Sequence, residues 1–154
     1  MTLTDDLIAL YRVDSQLRGL RSRVENAGDV LHSRQRRRDA IKTTCDEAES
    51  RHRQMQAHLQ NLEGETGDLN ERIERLRTEL NACTTDKQYQ AILGEMKSLQ
   101  SQRDEVEGSQ IAEMERIEAL AREIEELKEQ LSERDRLVDV ASTEKSECED
   151  AVSE

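Results

Sequence analysis

The chain has 154 residues and contains no proline, no tryptophan and no phenylalanine; two tyrosines are its only such rings. A globular domain of this length normally fills its core with aromatic and β-branched side chains. That route is closed here. The missing proline removes the strongest helix breaker, leaving long helices unopposed. Long apolar runs are also missing: near the start the longest is Leu7-Ile8-Ala9-Leu10-Tyr11. This is too short for a signal-peptide core or a membrane span. The three cysteines, Cys45, Cys83 and Cys148, are odd in number and widely spaced. Without a signal peptide they read as reduced thiols of a cytoplasmic protein.

What is present is charge and helix-forming residues. Charged side chains make up 38% of the chain, and the net charge is −12. That charge is uneven. Residues 1–83 carry 14 basic and 15 acidic groups, whereas residues 84–154 carry 9 and 20. The acidic second half repels phosphates, so the chain does not support RNA or DNA binding along it. High charge with low hydrophobicity also fits disorder, and only periodicity separates the two readings.

The periodicity is that of a coiled coil. One heptad register runs unbroken from Leu3 to Cys83, with Leu3, Leu10, Leu17, Val24 and Leu31 at successive a positions and Val13, Leu20 and Ala27 among the d positions. It ends with Leu69, Ile73, Leu76 and Leu80; only Asp6, Arg34, Arg38, His52 and Thr66 are clearly polar. The register fails between Cys83 and Ile92, then resumes through Met96, Leu99, Val106, Ile117, Leu120, Ile124, Leu127, Leu131 and Val138 to Val152. Persistence over so many heptads argues for packed helices rather than disorder. The break falls on Asn81-Ala82-Cys83-Thr84-Thr85-Asp86, where Thr85 and Gln88 have capping-box spacing.

A short turn between long helices makes them antiparallel neighbours. The fold expected is therefore all-α: one long antiparallel two-helix coiled-coil hairpin filling the chain, with no second domain. The helices are expected at 3–81 and 87–150 with the tip at 82–86. Facing residue numbers then add to about 172, which joins every a position to a d position. Leu76 meets Met96, Ile73 meets Leu99, and Arg38 meets Arg134, relieved by Glu133 and Asp135. The same rule sets Gly64 level with Gly108, with Gly67 nearby, beside a polar seam of Thr66, Arg103, Gln110 and Glu113. A kink or hinge is expected there, since each helical glycine costs about 1 kcal/mol. Leu3 to Leu17 would face positions beyond Glu154. That stretch packs on another chain, or the polypeptide is the front part of a longer one.

The turn region Asn81 to Leu99 resembles a bacterial family built from an N-terminal coiled-coil hairpin and a C-terminal four-cysteine zinc ribbon. Asn81, Lys87, Tyr89, Ala91, Glu95 and Leu99 match its tip pattern, with Gln88, Ile92 and Met96 as close substitutes. The opening Leu7 to Leu20 also looks like that family's start. The resemblance implies a regulatory adaptor, similar to chaperones of sigma-54, to factors that bind flagellin messenger RNA, or to partners of type III secretion components. No Cys-x-x-Cys pair occurs in these residues, so the ribbon is outside them. Zinc is expected only with such a C-terminal ribbon, and no cofactor is expected in this chain.

Chemistry-bearing residues are sparse. A zinc site needs four closely spaced ligands, which the cysteines do not supply. His52 falls on the seam, and His32 and His58 have no catalytic companions. A two-helix rod offers no pocket for a triad, so an enzyme is not expected. Arg34, Arg36, Arg37 and Arg38 form the dense basic patch. It could dock an acidic protein or an RNA backbone, but a solvated face paired with the acidic second helix is the simpler reading. Lys87 and Tyr89 at the tip are the candidate anchor for a protein partner, the alternative being that the ring caps the hairpin by packing over Leu80. The function expected is a monomeric hairpin adaptor that binds proteins by helix-on-helix contact. A parallel dimeric coiled-coil spacer is the alternative; it reads the phase break as a stutter.

Overall fold

The computed structural model of the protein describes residues 2–154. Two α-helices account for nearly all of them: α1 spans Leu3–Ala82 and α2 spans Asp86–Ser153. They pack on each other as a helical hairpin, with no strand among the described residues. α1 runs one residue further than expected, α2 starts one residue earlier, and α2 continues three residues past 150. Shifts of this size at helix ends reflect fraying and capping. At its far end, Glu144 to Asp150 is helix interior rather than an unwound tail.

The connection Cys83–Thr85 is built with ordinary backbone, since no described residue has positive φ. The Cys83 N–H donates to the Leu80 carbonyl at 3.3 Å, tightening the last turn of α1. Thr85 then starts α2: its Oγ1 accepts the Gln88 N–H at 3.3 Å and its carbonyl accepts the Tyr89 N–H at 3.1 Å. This is the N-cap that the Thr85/Gln88 spacing announces.

The seam follows the heptad. Every a and d position from Leu17 to Cys83, and from Ile92 to Val152, is buried or half-buried. The chain forms two compact units, one of residues Glu47–Ile124 and one of residues 2–46 with Glu125–Glu154. In the first, Leu69, Ile73, Leu76, Met96 and Leu99 form the apolar cluster next to the turn, flanked by Leu80, Ile92 and Val106. Ile73 keeps 2% of its surface exposed. Each such side chain contributes about 1.5–3 kcal/mol through burial.

Further along the same unit the seam turns polar. Glu113 is buried at 8% exposure, with the Arg116 guanidinium 3.9 Å from its carboxylate. Thr66 is half-buried, and its Oγ1 is shielded without a hydrogen-bond partner. Thr43, Thr44, Thr78 and Thr143 instead bond back to carbonyls four residues earlier. The helices are nevertheless continuous through Gly64, Gly67 and Gly108. All three glycines are exposed, and nothing lies within 4 Å of where a Cβ would sit. Gly64 and Gly108 therefore sit on outward faces, although numbering puts them level.

In the second unit Cys45, Val138 and Ala141 are buried. Of the relief expected for the arginine layer, Asp135 supplies its part, whereas Glu133 pairs with Arg136. Arg38 contacts Asp39 on its own helix at 3.1 Å and Asp135 on α2 at 3.9 Å. A Cβ on Gly28 would lie 3.8 Å from the Lys145 side chain, so α2 crosses that face of α1.

Candidate partner-binding surfaces

The same repeat that is buried from Leu17 onward is open to solvent before it. Leu3, Leu7, Leu10, Tyr11 and Val13 are exposed, Leu3 at 79%, and Ile8 joins them. These residues belong to a fully formed helix. Thr2 caps it: its Oγ1 accepts the Asp5 N–H at 3.3 Å, while its own hydroxyl and N–H donate to the Asp5 carboxylate at 2.7 and 3.1 Å. Those hydrogen bonds hold the Asp5 carboxyl below its ordinary value, because they favour the charged form. The first turn also carries Asp6, which suits the positive end of the helix dipole. The face is thus a preformed half of a coiled coil, with its a and d knobs in place and no described residue of α2 covering them.

The tip offers a second, smaller surface. Tyr89 is 42% exposed and Lys87 is exposed beside it. Glu79, Ala82, Cys83, Gln88, Ala91 and Ile92 line a shallow open hollow next to them. An exposed tyrosine beside a lysine combines an apolar ring with hydrogen-bonding and cationic groups.

The basic patch does not form one surface. Arg34 and Arg38 are half-buried along the seam, whereas Arg36 and Arg37 are exposed. The i, i+3 and i+4 geometry of a helix dictates that split. Nearby on α2, Arg136 grips Glu133 through Nε and Nη2 at 3.1 and 2.7 Å. This bidentate pair lowers the Glu133 carboxyl and raises the Arg136 guanidinium from their ordinary values.

The remaining polar candidates stay scattered. His52 is half-buried, His32 and His58 are exposed, and none of the three cysteines is in a disulfide. Among the described residues no three His, Cys, Asp or Glu side chains are gathered to hold a metal ion. No helix among them is long and apolar enough to cross a membrane. The sequence signal for the Thr2–Asp5 cap is a threonine three residues before an acid.

No curated protein and no solved structure gives a significant match to this chain. A family model does, over residues 3–154, which is the whole hairpin with the open heptads included. With its two helices, its turn at Cys83–Thr85 and its seam all inside that match, the chain belongs to the family of CT398-like coiled coil hairpin domains.

Proposed function

We propose that the chain is a non-enzymatic, cytoplasmic coiled-coil adaptor that binds other proteins by helix-on-helix contact. The observation that carries this reading is the exposed seam of Leu3 to Val13, whose heptad knobs no described residue covers. Large apolar side chains grouped on one exposed face mark interaction surfaces in soluble proteins. Tyr89 and Lys87 at the tip supply a second contact point. The resemblance at the tip adds the setting: a chaperone-like regulator in bacterial transcription, secretion or flagellar assembly. The zinc ribbon of that resembling family, and any RNA contact it carries, lie outside these residues.

A photo-crosslinking residue placed at position 10, and separately at position 89, tests the reading inside the native cells. The expected outcome is a discrete adduct at position 10, identified by mass spectrometry as a defined protein partner. A control at the outward-facing position 64 should give none. If neither position 10 nor position 89 yields an adduct above that control, the adaptor reading is wrong.

A further inference from the structure

In the compact unit of residues 2–46 with Glu125–Glu154, the two flanks of the seam differ. On one flank Arg21 and Glu149, opposite in charge and at facing e positions, line a single hollow. The Lys145 side chain reaches toward Gly28 on that same flank. On the other flank the facing g positions have numbers adding to about 174. They set Arg23 opposite Ala151, Val30 opposite Glu144, and Arg37 opposite Leu137. Every charge there meets a side chain that cannot answer it. Among the described residues none forms an ion pair with Arg23, Arg37, Glu144 or Glu147.

Apolar surface gathers on this flank too. Past Val13, the exposed large hydrophobics of the unit are Val30 and Val140, each 43% open. Val30 is a g residue of α1 and Val140 a c residue of α2, so both border the groove on this side. Leu137, one turn from Val140, is half-buried at its edge, and Ser33 and Ala40 keep the α1 wall low. The charges divide by helix. α1 supplies the exposed Arg23 and Arg37, with Arg34 half-buried at the seam edge; its Asp29 and Arg36 are at f, on the back. α2 supplies the exposed Glu144 and Glu147, with Arg134 half-buried at the seam edge. Glu133 is held by Arg136 at 2.7 Å. Arg18 and Arg21, at b and e, belong to the other flank. One wall of the groove is basic and the other acidic, with valine and leucine between them.

From this we infer that the groove receives a third helix, an amphipathic segment of another protein with one acidic edge and one basic edge. Its apolar stripe covers Val30, Leu137 and Val140. Its acidic edge meets Arg23, Arg34 and Arg37, and its basic edge meets Glu144 and Glu147. Reversing the helix in the groove would set acid against acid, so the charges also fix its direction. Both walls consist of described residues, and the exposed heptads at the start of α1 take no part. The other occupants fail on the same charges. A nucleic acid or anionic membrane reaching the arginines would bring phosphates against Glu144 and Glu147. A second copy of the chain would bring another net charge of −12.

Three synthetic helices of about three heptads, with the same leucines and isoleucines at a and d, test this. One carries glutamate on one edge and lysine on the other, one carries lysine on both, and one glutamate on both. Fluorescence anisotropy of each, labelled at trace concentration, is read against the full chain at low salt. The mixed helix should bind at least about tenfold more tightly than either uniform one, with the preference shrinking as salt rises. Val140→Asp should remove that gain while circular dichroism shows the same helix content. Arg37→Glu should move the preference to the all-lysine helix, and Glu144→Lys with Glu147→Lys to the all-glutamate helix. The inference is overturned if none binds, if all bind alike, or if the unaltered chain prefers a uniform helix. Mixed-helix binding that survives Val140→Asp overturns it as well. So does sedimentation showing self-association through Val140, or single-stranded RNA or anionic vesicles bound through Arg37. None of these outcomes bears on the exposed heptads, which the crosslink at position 10 tests separately.

Discussion

The apolar cluster beside the turn and the first two heptads of α1 are written in the same alphabet and end in opposite states. Leu69, Ile73 and Leu76 are nearly sealed, whereas Leu3, Leu10 and Val13 stand mostly in solvent. Both stretches are leucine-rich, both keep the a/d spacing, and both are helical. The difference is what lies across the seam. Met96 and Leu99 face the first stretch, and no described residue faces the second. Burial in a two-helix protein is thus a property of pairs. Periodicity announces which side of a helix is sticky, and the partner decides whether that side stabilises the fold or remains available for binding.

The comparison can be broken most sharply by truncating equivalent knobs. Ile73→Ala should cost about 2–5 kcal/mol, through lost burial and the cavity left behind. Leu10→Ala should change the stability of the isolated chain by less than about 0.5 kcal/mol. Urea melts followed by circular dichroism read both, and equal losses would show that the first heptads are covered after all. The polar seam should respond in the opposite direction. Glu113→Leu replaces a buried carboxylate with a seam side chain and should raise stability by about 1–3 kcal/mol. A loss instead would mean that Glu113 makes a polar contact the seam depends on.

Gly64→Ala and Gly108→Ala have open space for the added methyl, and each should stabilise by about 0.5–1 kcal/mol. If the two glycines also serve as a hinge, partner binding will fall as the melting temperature rises. The smallest effect belongs to the capped start of α1. Asp5 has a depressed carboxyl in the folded helix, so its stabilisation is fully present above the unfolded value and is lost as pH falls through the folded one. Amide chemical shifts of residues 3–8 should show the first turn fraying from about pH 4 downward, while the shifts of residues 69–76 hold. Thr2→Ala should fray it at neutral pH.

Most of the fold was legible because heptads encode a face. The register break between Cys83 and Ile92 located the turn, and Thr85 with Gln88 fixed where α2 begins. The relief of Arg38 by Asp135 was legible too, since antiparallel numbering brings those residues level. Other features were not. Level numbering says nothing about direction around the helix, so Gly64 and Gly108 share a height without facing each other. A run of arginines looks like a patch in one dimension, and the helix divides it between seam and solvent. At the candidate sites, antiparallel numbering made it readable that no described residue would face Leu3 to Val13. The exposure of Tyr89 was not, because a ring beside a turn can fold either way.

The turn of three residues has a consequence for how the hairpin finds its alignment. Two leucine-rich helices can slide past each other by a heptad, a step of about 10 Å, and still match knobs to holes. The four Cα–Cα steps from Ala82 to Asp86 stretch to about 14 Å at most, and the roughly 8–10 Å between helix axes takes most of that reach. Sliding by one heptad therefore requires unwinding several residues of helix beside the apolar cluster of Leu69, Ile73, Leu76, Met96 and Leu99.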